Sequence, residues 1–227
     1  MVRGDVQNKE SVASDSVVAD AIQLENNKKS YKLITQYYDR AIHKIFFNIT
    51  QKYNIKIVLD VGTALGDVVS RVALQNPKVD FLAIDIMDEA IRMAQSNYRG
   101  IMNLKFKKAD FGDDSILFSA DVVMCLQTLE HLEDHVLIPF LEKIFTTARY
   151  AIVLSVPREP YWCIANLVRL KYWSRLGNTP HHIQHWKIRD FEDFCRVVAS
   201  RVWDSGYDVV RKSPLRLWSI LEFRKKC

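Results

Sequence analysis

The sequence predicts an α/β fold: a Rossmann-like, doubly wound, seven-stranded and mostly parallel sheet with helices on both faces. Short apolar runs such as KIVLDV (56–61) and YAIVLSV (150–156) alternate with segments of helical period, the pattern of successive βα units. The runs are apolar without interruption, as strands covered on both faces are. At 227 residues, with 48% apolar and 26% charged residues, the chain is long enough for one domain with a sizeable core and fits neither a disordered nor a fibrous class.

Residues 1–22 are polar and lack period, so they read as a flexible tail ahead of a single domain over 23–227. From Ser30, the residues Ile34, Tyr38, Ala41, Ile42, Ile45, Phe46 and Ile49 recur at helical spacing and predict an amphipathic N-terminal helical cap. Strands follow at 56–61, 80–85, 104–109, 120–126 and 150–156, with two more near 207–213 and 216–224. Helical patterns fall near 66–75, 88–98 and 133–148. Such sheets bind ligands outside the carboxyl ends of their strands, where strand order reverses. After strand five, about 30 residues (158–187) precede the next helix. Pro160 sits as a first helical residue, Gly177 as a C-terminal cap, and Pro180 follows, predicting an inserted helix over about 160–176. Its Tyr161, Trp162, Tyr172 and Trp173, with Arg169, Lys171 and Arg175, suit a lid with a greasy face and a basic edge.

The composition narrows the function classes. Cys125, Cys163, Cys195 and Cys227 lie far apart, which argues against a disulfide framework and a zinc site and for reduced thiols in a cytoplasmic protein. No apolar run is long enough to span a bilayer, and the polar start does not read as a signal peptide. The net charge of +5 arises in the last third, where residues 158–227 carry 14 Lys/Arg against 7 Asp/Glu. That polarity suits an anionic substrate, a membrane surface or nucleic acid, and equally an ordinary solvated face.

Four strand tips carry polar or glycine-rich turns. DVGTALGD (60–67) ends strand one with Gly62 and Gly66, a turn that brings a ligand onto bare backbone N–H groups. It is not a dinucleotide fingerprint, nor has it the lysine of a phosphate-binding loop. Strand two ends in Asp85, 19 residues past Gly66, placed to accept both hydroxyls of a ribose. Asp88 reads as the better N-cap of the next helix, which leaves Asp85 for a ligand. Strand three ends KKADF, pairing Asp110 with Phe111, and strand four runs into Leu126, Gln127, Thr128, Leu129, Glu130 and His131.

The ordered set DVGTALG, FLAID, KADF and CLQTLEHL resembles the class I S-adenosylmethionine-dependent methyltransferases, over roughly residues 30–225, and is closest to the type 11 and type 12 small-molecule or lipid groups. PREPYW and GNTPHHIQHW resemble a bacterial and archaeal subgroup of that superfamily. The resemblance implies a seven-stranded sheet whose last strand is antiparallel, with S-adenosyl-L-methionine across the tips of strands one to four. It implies that Asp60 orders the first loop, while Gly62, Thr63, Ala64 and Gly66 border the methionine part. Asp85 would bind the ribose, Ile86 would pack on adenine, Asp110 and Phe111 would hold the base, and Leu126 and Gln127 would lie beneath the sulfonium. The family pattern DxGxGxG has Ala64 at its middle glycine here; a positive φ there costs an alanine about 1 kcal/mol.

The acceptor expected is a small molecule or lipid-like compound bearing a reactive O, N or C atom, met by Tyr38, Arg158, Trp162 and Trp186, with peripheral membrane contact through the insertion. His131, His182 and His185 are the candidate bases or orienting groups. No metal is expected, because no Cys, Asp or Glu stands at ligand spacing from the 181–185 histidines before Asp190. Two rivals remain. An RNA methyltransferase would use the basic last third on phosphates, though no base-amino motif follows strand four; a non-catalytic protein would bind the cofactor without turnover.

Overall fold

The computed structural model describes residues 28–204 and 206–226; the expected tail over 1–22 lies outside the described residues. Helix α1 (Lys28–Lys52) precedes β1 (Ile57–Val61), α2 (Asp67–Gln75), β2 (Asp80–Asp85), α3 (Asp88–Asn97) and β3 (Leu104–Lys108). Then come β4 (Ala120–Leu126), a one-turn 3-10 helix (Leu129–His131), α4 (Asp134–Thr147), β5 (Ala148–Pro157), α5 (Tyr161–Val168), α6 (Ile188–Val202), β6 (Tyr207–Lys212) and β7 (Trp218–Lys225).

The seven strands form one sheet in the order β3-β2-β1-β4-β5-β7-β6. The first five are parallel, and β7 runs antiparallel to both neighbours. Strand order therefore reverses between β1 and β4, and the crevice at their carboxyl ends is where a ligand binds in such a sheet.

Alternate residues of each strand serve opposite faces. Val58, Ala83, Met124 and Val153 pack with Ile42, Ile45, Phe46 and Ile49 of α1 and with Val69 and Val72 of α2. Leu59, Ile84, Cys125 and Leu154 pack on the other side with Leu141 and Phe145 of α4 and Phe191 and Val198 of α6. Sandwiching on both faces is why the central strands show no polar alternation. Asp121 Oδ2 accepts the N–H groups of Lys56 (2.7 Å) and Ile57 (3.1 Å) and ties β1 to β4 at the end away from the crevice.

The insertion differs from the expected single helix. Helix α5 stops at Val168; Leu170 and Tyr172 take φ values of 59° and 53°, and a short 3-10 turn, Trp173–Arg175, folds back. The buried Asn166 amide organises the reversal: its Nδ2 donates to Gly177 O (2.8 Å) and to Thr179 Oγ1 (3.2 Å), and its Oδ1 accepts from Arg169 (2.6 Å). Gly177 thus ends the returning arm, a contact between distant residues that helical periodicity does not encode.

Candidate active site

The β1 loop is built against its neighbours. Gly62 N and Thr63 N both donate to Ile84 O, at 2.9 and 3.0 Å, and Gly66 N closes the turn on Thr63 O at 2.9 Å before α2 begins. Gly62 has φ +74°, and a Cβ there would stand 2.3 Å from Thr128 Oγ1. Only glycine fits beneath Thr128, so this loop and the β4 tip are fixed to each other. Ala64 has φ 47°, the left-handed region that the resemblance implied for the middle position, and its N–H donates to Asp85 Oδ2 at 2.8 Å.

Asp85 Oδ1 accepts Met87 N at 3.0 Å, one residue before α3. The side chain therefore does local work that the sequence assigned to Asp88, which instead begins the helix and pairs with Arg92 (3.0 Å). Each Asp85 oxygen retains acceptor capacity for a ligand hydroxyl. Ile86, next in the chain, is 61% exposed and offers apolar surface beside it.

Three carboxylates are buried around these tips: Asp60, Asp85 and Glu130. Burial raises Asp60 to about 7, helped by the charge of Asp85, and raises Glu130 to about 8. Burial also raises Asp85, against the amides of Met87 and Ala64 and the charge of His131. Among the described residues none of the three is in an ion pair with Lys or Arg. Burial disfavours the charged form of all three, and a positive ligand such as S-adenosylmethionine, bound beside them, would favour it again.

A pH dependence follows. The folded chain holds protons on Asp60 and Glu130 that the unfolded chain releases near their ordinary values, so stability falls as pH rises toward the folded values. His182 acts oppositely: burial first, then His131, lowers it from 6.5 to about 3, so its term raises stability up to about pH 6.5. The ligand-free thermal midpoint should therefore fall between about pH 6.5 and pH 8, with a shallower fall in Asp60→Asn. A midpoint that rises over this range in scanning calorimetry would remove the uncompensated acids.

At the β4 tip, Gln127 has φ 58°; its N–H donates to Ser155 O (2.9 Å) and its Nε2 to Ser155 Oγ (3.1 Å). Tyr38 of α1 meets the same hydroxyl at 2.5 Å, and its own hydroxyl is held protonated first by burial and then by Glu130 and Asp60. Leu126 is half-buried beside them. The insertion arrives through Ile183 N and Gln184 N, which donate to Glu130 O at 2.8 and 3.0 Å. His131 and His182 meet edge to face with ring centroids 5.0 Å apart.

Several expected contacts fall elsewhere. The Phe111 ring is 3% exposed and packs on Phe118 and Phe140; both faces of the local cluster are filled, so it is core and not a base platform. Asp110 is exposed, with Oδ1 accepting Gly112 N at 2.8 Å. Trp186 packs on Phe191 and Phe194 of α6 and staples the insertion to the domain. Arg158 lies over the Tyr161 ring and donates to Ser213 Oγ at 3.1 Å. Trp162 donates to Thr179 Oγ1 (2.9 Å) and packs near Trp218. His185 Nδ1 turns to Glu159 Oε1 at 3.6 Å. Tyr38 is wall rather than open surface. Conversely, sequence reasoning assigns Thr128, Glu130 and Ser155 no individual part; the polar run after an apolar strand is the available signal for the first two.

The model of a family described as "Methyltransferase domain" matches residues 54–186, from just before β1 to the end of the insertion. The chain belongs to the methyltransferase domain family. It is therefore an enzyme of the S-adenosylmethionine-dependent class. No curated protein matches it in sequence. Among solved structures, the methyltransferase domain of a bacterial Hen1 (CtHen1-CN) aligns with TM-score 0.64 and 16% identity, over 84% of this chain and 99% of that one. Magnesium protoporphyrin IX methyltransferase ChlM from Synechocystis PCC 6803, with bound SAH, aligns with TM-score 0.64 and 16% identity, over 93% and 100%. The plantazolicin methyltransferase BpumL, in complex with a monoazolic desmethylPZN analog and SAH, aligns with TM-score 0.70 and 16% identity, over 98% and 100%. At such identities these methyltransferases share the fold.

Proposed function

We propose that this methyltransferase acts on an O, N or C atom of a small, lipid-like acceptor that enters beneath the insertion. One observation supports the class of acceptor: from Pro160 to Arg189 there are five Lys/Arg and no Asp/Glu, and in the same segment Val168 (78%), Leu170 (76%) and Trp173 (61%) are exposed. Exposed apolar side chains gathered in one segment suit a binding surface, and the cations add affinity for an anionic head group or membrane face. Among the described residues no helix is long and apolar enough to cross a membrane.

The chemistry that S-adenosylmethionine supplies when bound is a methyl group activated on positive sulfur, lost in one in-line displacement. The residues proposed to hold it are the loop Gly62, Thr63, Ala64 and Gly66, with Asp60 ordering that loop, Asp85 at the ribose, Ile86 and Asp110 at the base, and Leu126 and Gln127 beneath the sulfur. The protein's main contribution is alignment and exclusion of water, an advantage that reaches roughly 7–11 kcal/mol in well-oriented systems. His182, whose burial holds it near 3, is too weak a base to take a proton at neutral pH; it suits orientation or ligation.

Purified protein incubated with methyl-labelled cofactor and separate lipid, small-metabolite and RNA extracts tests the reading. Label in the lipid or metabolite arm supports it, label confined to RNA overturns the acceptor class, and cofactor binding without label in any arm identifies a non-catalytic protein. Trp173→Glu with Leu170→Glu should lower kcat/KM for an amphiphilic acceptor about tenfold, the loss of about 1.4 kcal/mol of apolar contact, with cofactor affinity unchanged by calorimetry.

A further inference from the structure

We propose that Glu130, His131 and His182 form a binding site for a divalent transition-metal ion, on which the methyl acceptor places a hydroxyl or phenolic oxygen. The ion site stands on the geometry alone; its use in methyl transfer rests on the function proposed above. Glu130 and His131 lie on the 3-10 turn after β4, and His182 arrives from the insertion. One donor atom from each lies within 4.8 Å of the other two. These residues come from two loops, which is why spacing along the chain revealed no ligand set.

Glu130 carries the inference. It is 1% exposed, and its Oε2 is buried with no hydrogen-bond partner. A buried carboxylate oxygen without a donor costs about 1–3 kcal/mol or more, whereas a cation among these donors satisfies it. His131 supplies a second, independent mark. Its Nδ1 meets His181 O at 3.0 Å; a carbonyl only accepts, so Nδ1 carries the hydrogen and Nε2 carries the lone pair. Metal-binding imidazoles are commonly oriented in this way, by donating the other ring N–H to a backbone carbonyl.

The donor set selects the ion. Two imidazoles and one carboxylate suit Mn²⁺, Fe²⁺, Co²⁺ or Zn²⁺, whereas Mg²⁺ and Ca²⁺ favour all-oxygen shells. At ligand distances of about 2.0–2.2 Å, donors on opposite sides of an ion stand about 4.2 Å apart, a span comparable with the 4.8 Å within which these three donors lie. Three protein ligands leave positions for the acceptor. Coordination acidifies the acceptor hydroxyl and its proton passes to solvent. The oxygen lone pair then forms the new C–O bond as the S–C bond breaks, with its electron pair left on sulfur. Thr128, which presses on Gly62, stands two residues before Glu130, so this cluster adjoins the loop proposed to border the methionine part.

Untagged, chelator-treated full-length protein, without cofactor, is titrated with Co²⁺ by visible absorption and with Mn²⁺ by calorimetry. One ion per chain and a ligand-field band are expected, with affinity at least tenfold weaker in His182→Ala and in Glu130→Gln. Circular dichroism checks that each variant is folded, and His182→Ala, the less buried change, keeps the test valid should Glu130→Gln unfold. Wild type without binding below millimolar concentration, or a folded His182→Ala that binds both ions as wild type does, overturns the site. Cofactor affinity of the metal-free protein is measured separately: cofactor binding without ion binding defeats the site alone, and ion binding without cofactor binding defeats the functional reading alone.

Discussion

Asp85→Ala is expected to weaken S-adenosylmethionine about a thousandfold, measured by calorimetry, while the chain stays folded. Two hydrogen bonds from ribose hydroxyls to a charged carboxylate contribute about 1.5–3 kcal/mol each, and about 4 kcal/mol is a thousandfold in affinity. The carboxylate also receives Ala64 N at 2.8 Å and Met87 N at 3.0 Å, so its removal releases the backbone of the loop that would border the methionine part. Both effects act in one direction. Asp85→Asn separates them: its amide oxygen still takes one backbone N–H, while the NH₂ group opposes the other and the charge is gone. Its affinity should lie between those of wild type and Asp85→Ala. Equal cofactor affinity in wild type and Asp85→Ala would falsify the placement of the adenosyl group at these strand tips.

The sheet was legible because buried parallel strands leave a local signature. KIVLDV and YAIVLSV are continuous apolar runs, and β1 and β5 occupy Ile57–Val61 and Ala148–Pro157. Glycine and acid at the strand tips were legible for the same local reason, since Gly62 and Asp85 directly follow or end a strand. What depends on distant packing was not. Phe111 looks like a base platform beside Asp110 until Phe118 and Phe140 close over it. The inserted helix reads through to residue 176 because no proline or glycine interrupts it earlier, yet Asn166 reaching Gly177 turns the chain back. Glu130 and His182 are distant along the chain and meet because Ile183 and Gln184 dock on the Glu130 carbonyl.

Gly62→Ala is expected to destabilise the fold by about 2–5 kcal/mol, and its partial repair by a second change separates packing from backbone strain. The added methyl would lie 2.3 Å from Thr128 Oγ1 and 2.6 Å from Thr128 Cγ2, an overpacking worth about 1–3 kcal/mol. At φ +74° the alanine also carries about 1–2 kcal/mol of left-handed strain. Thr128→Ala removes the two closest atoms, so Gly62→Ala combined with Thr128→Ala should recover the packing part and retain the strain. The two residues are in contact, and their effects should be non-additive by about 1–3 kcal/mol in a denaturant-unfolding cycle. Additive losses would mean that Thr128 does not press on Gly62. In that case the glycine is required by its φ angle and by whatever approaches the loop from outside. Cofactor affinity in the double variant then decides further: it should stay weakened, because the strain of an alanine at φ +74° persists in the backbone where the methionine part is proposed to lie.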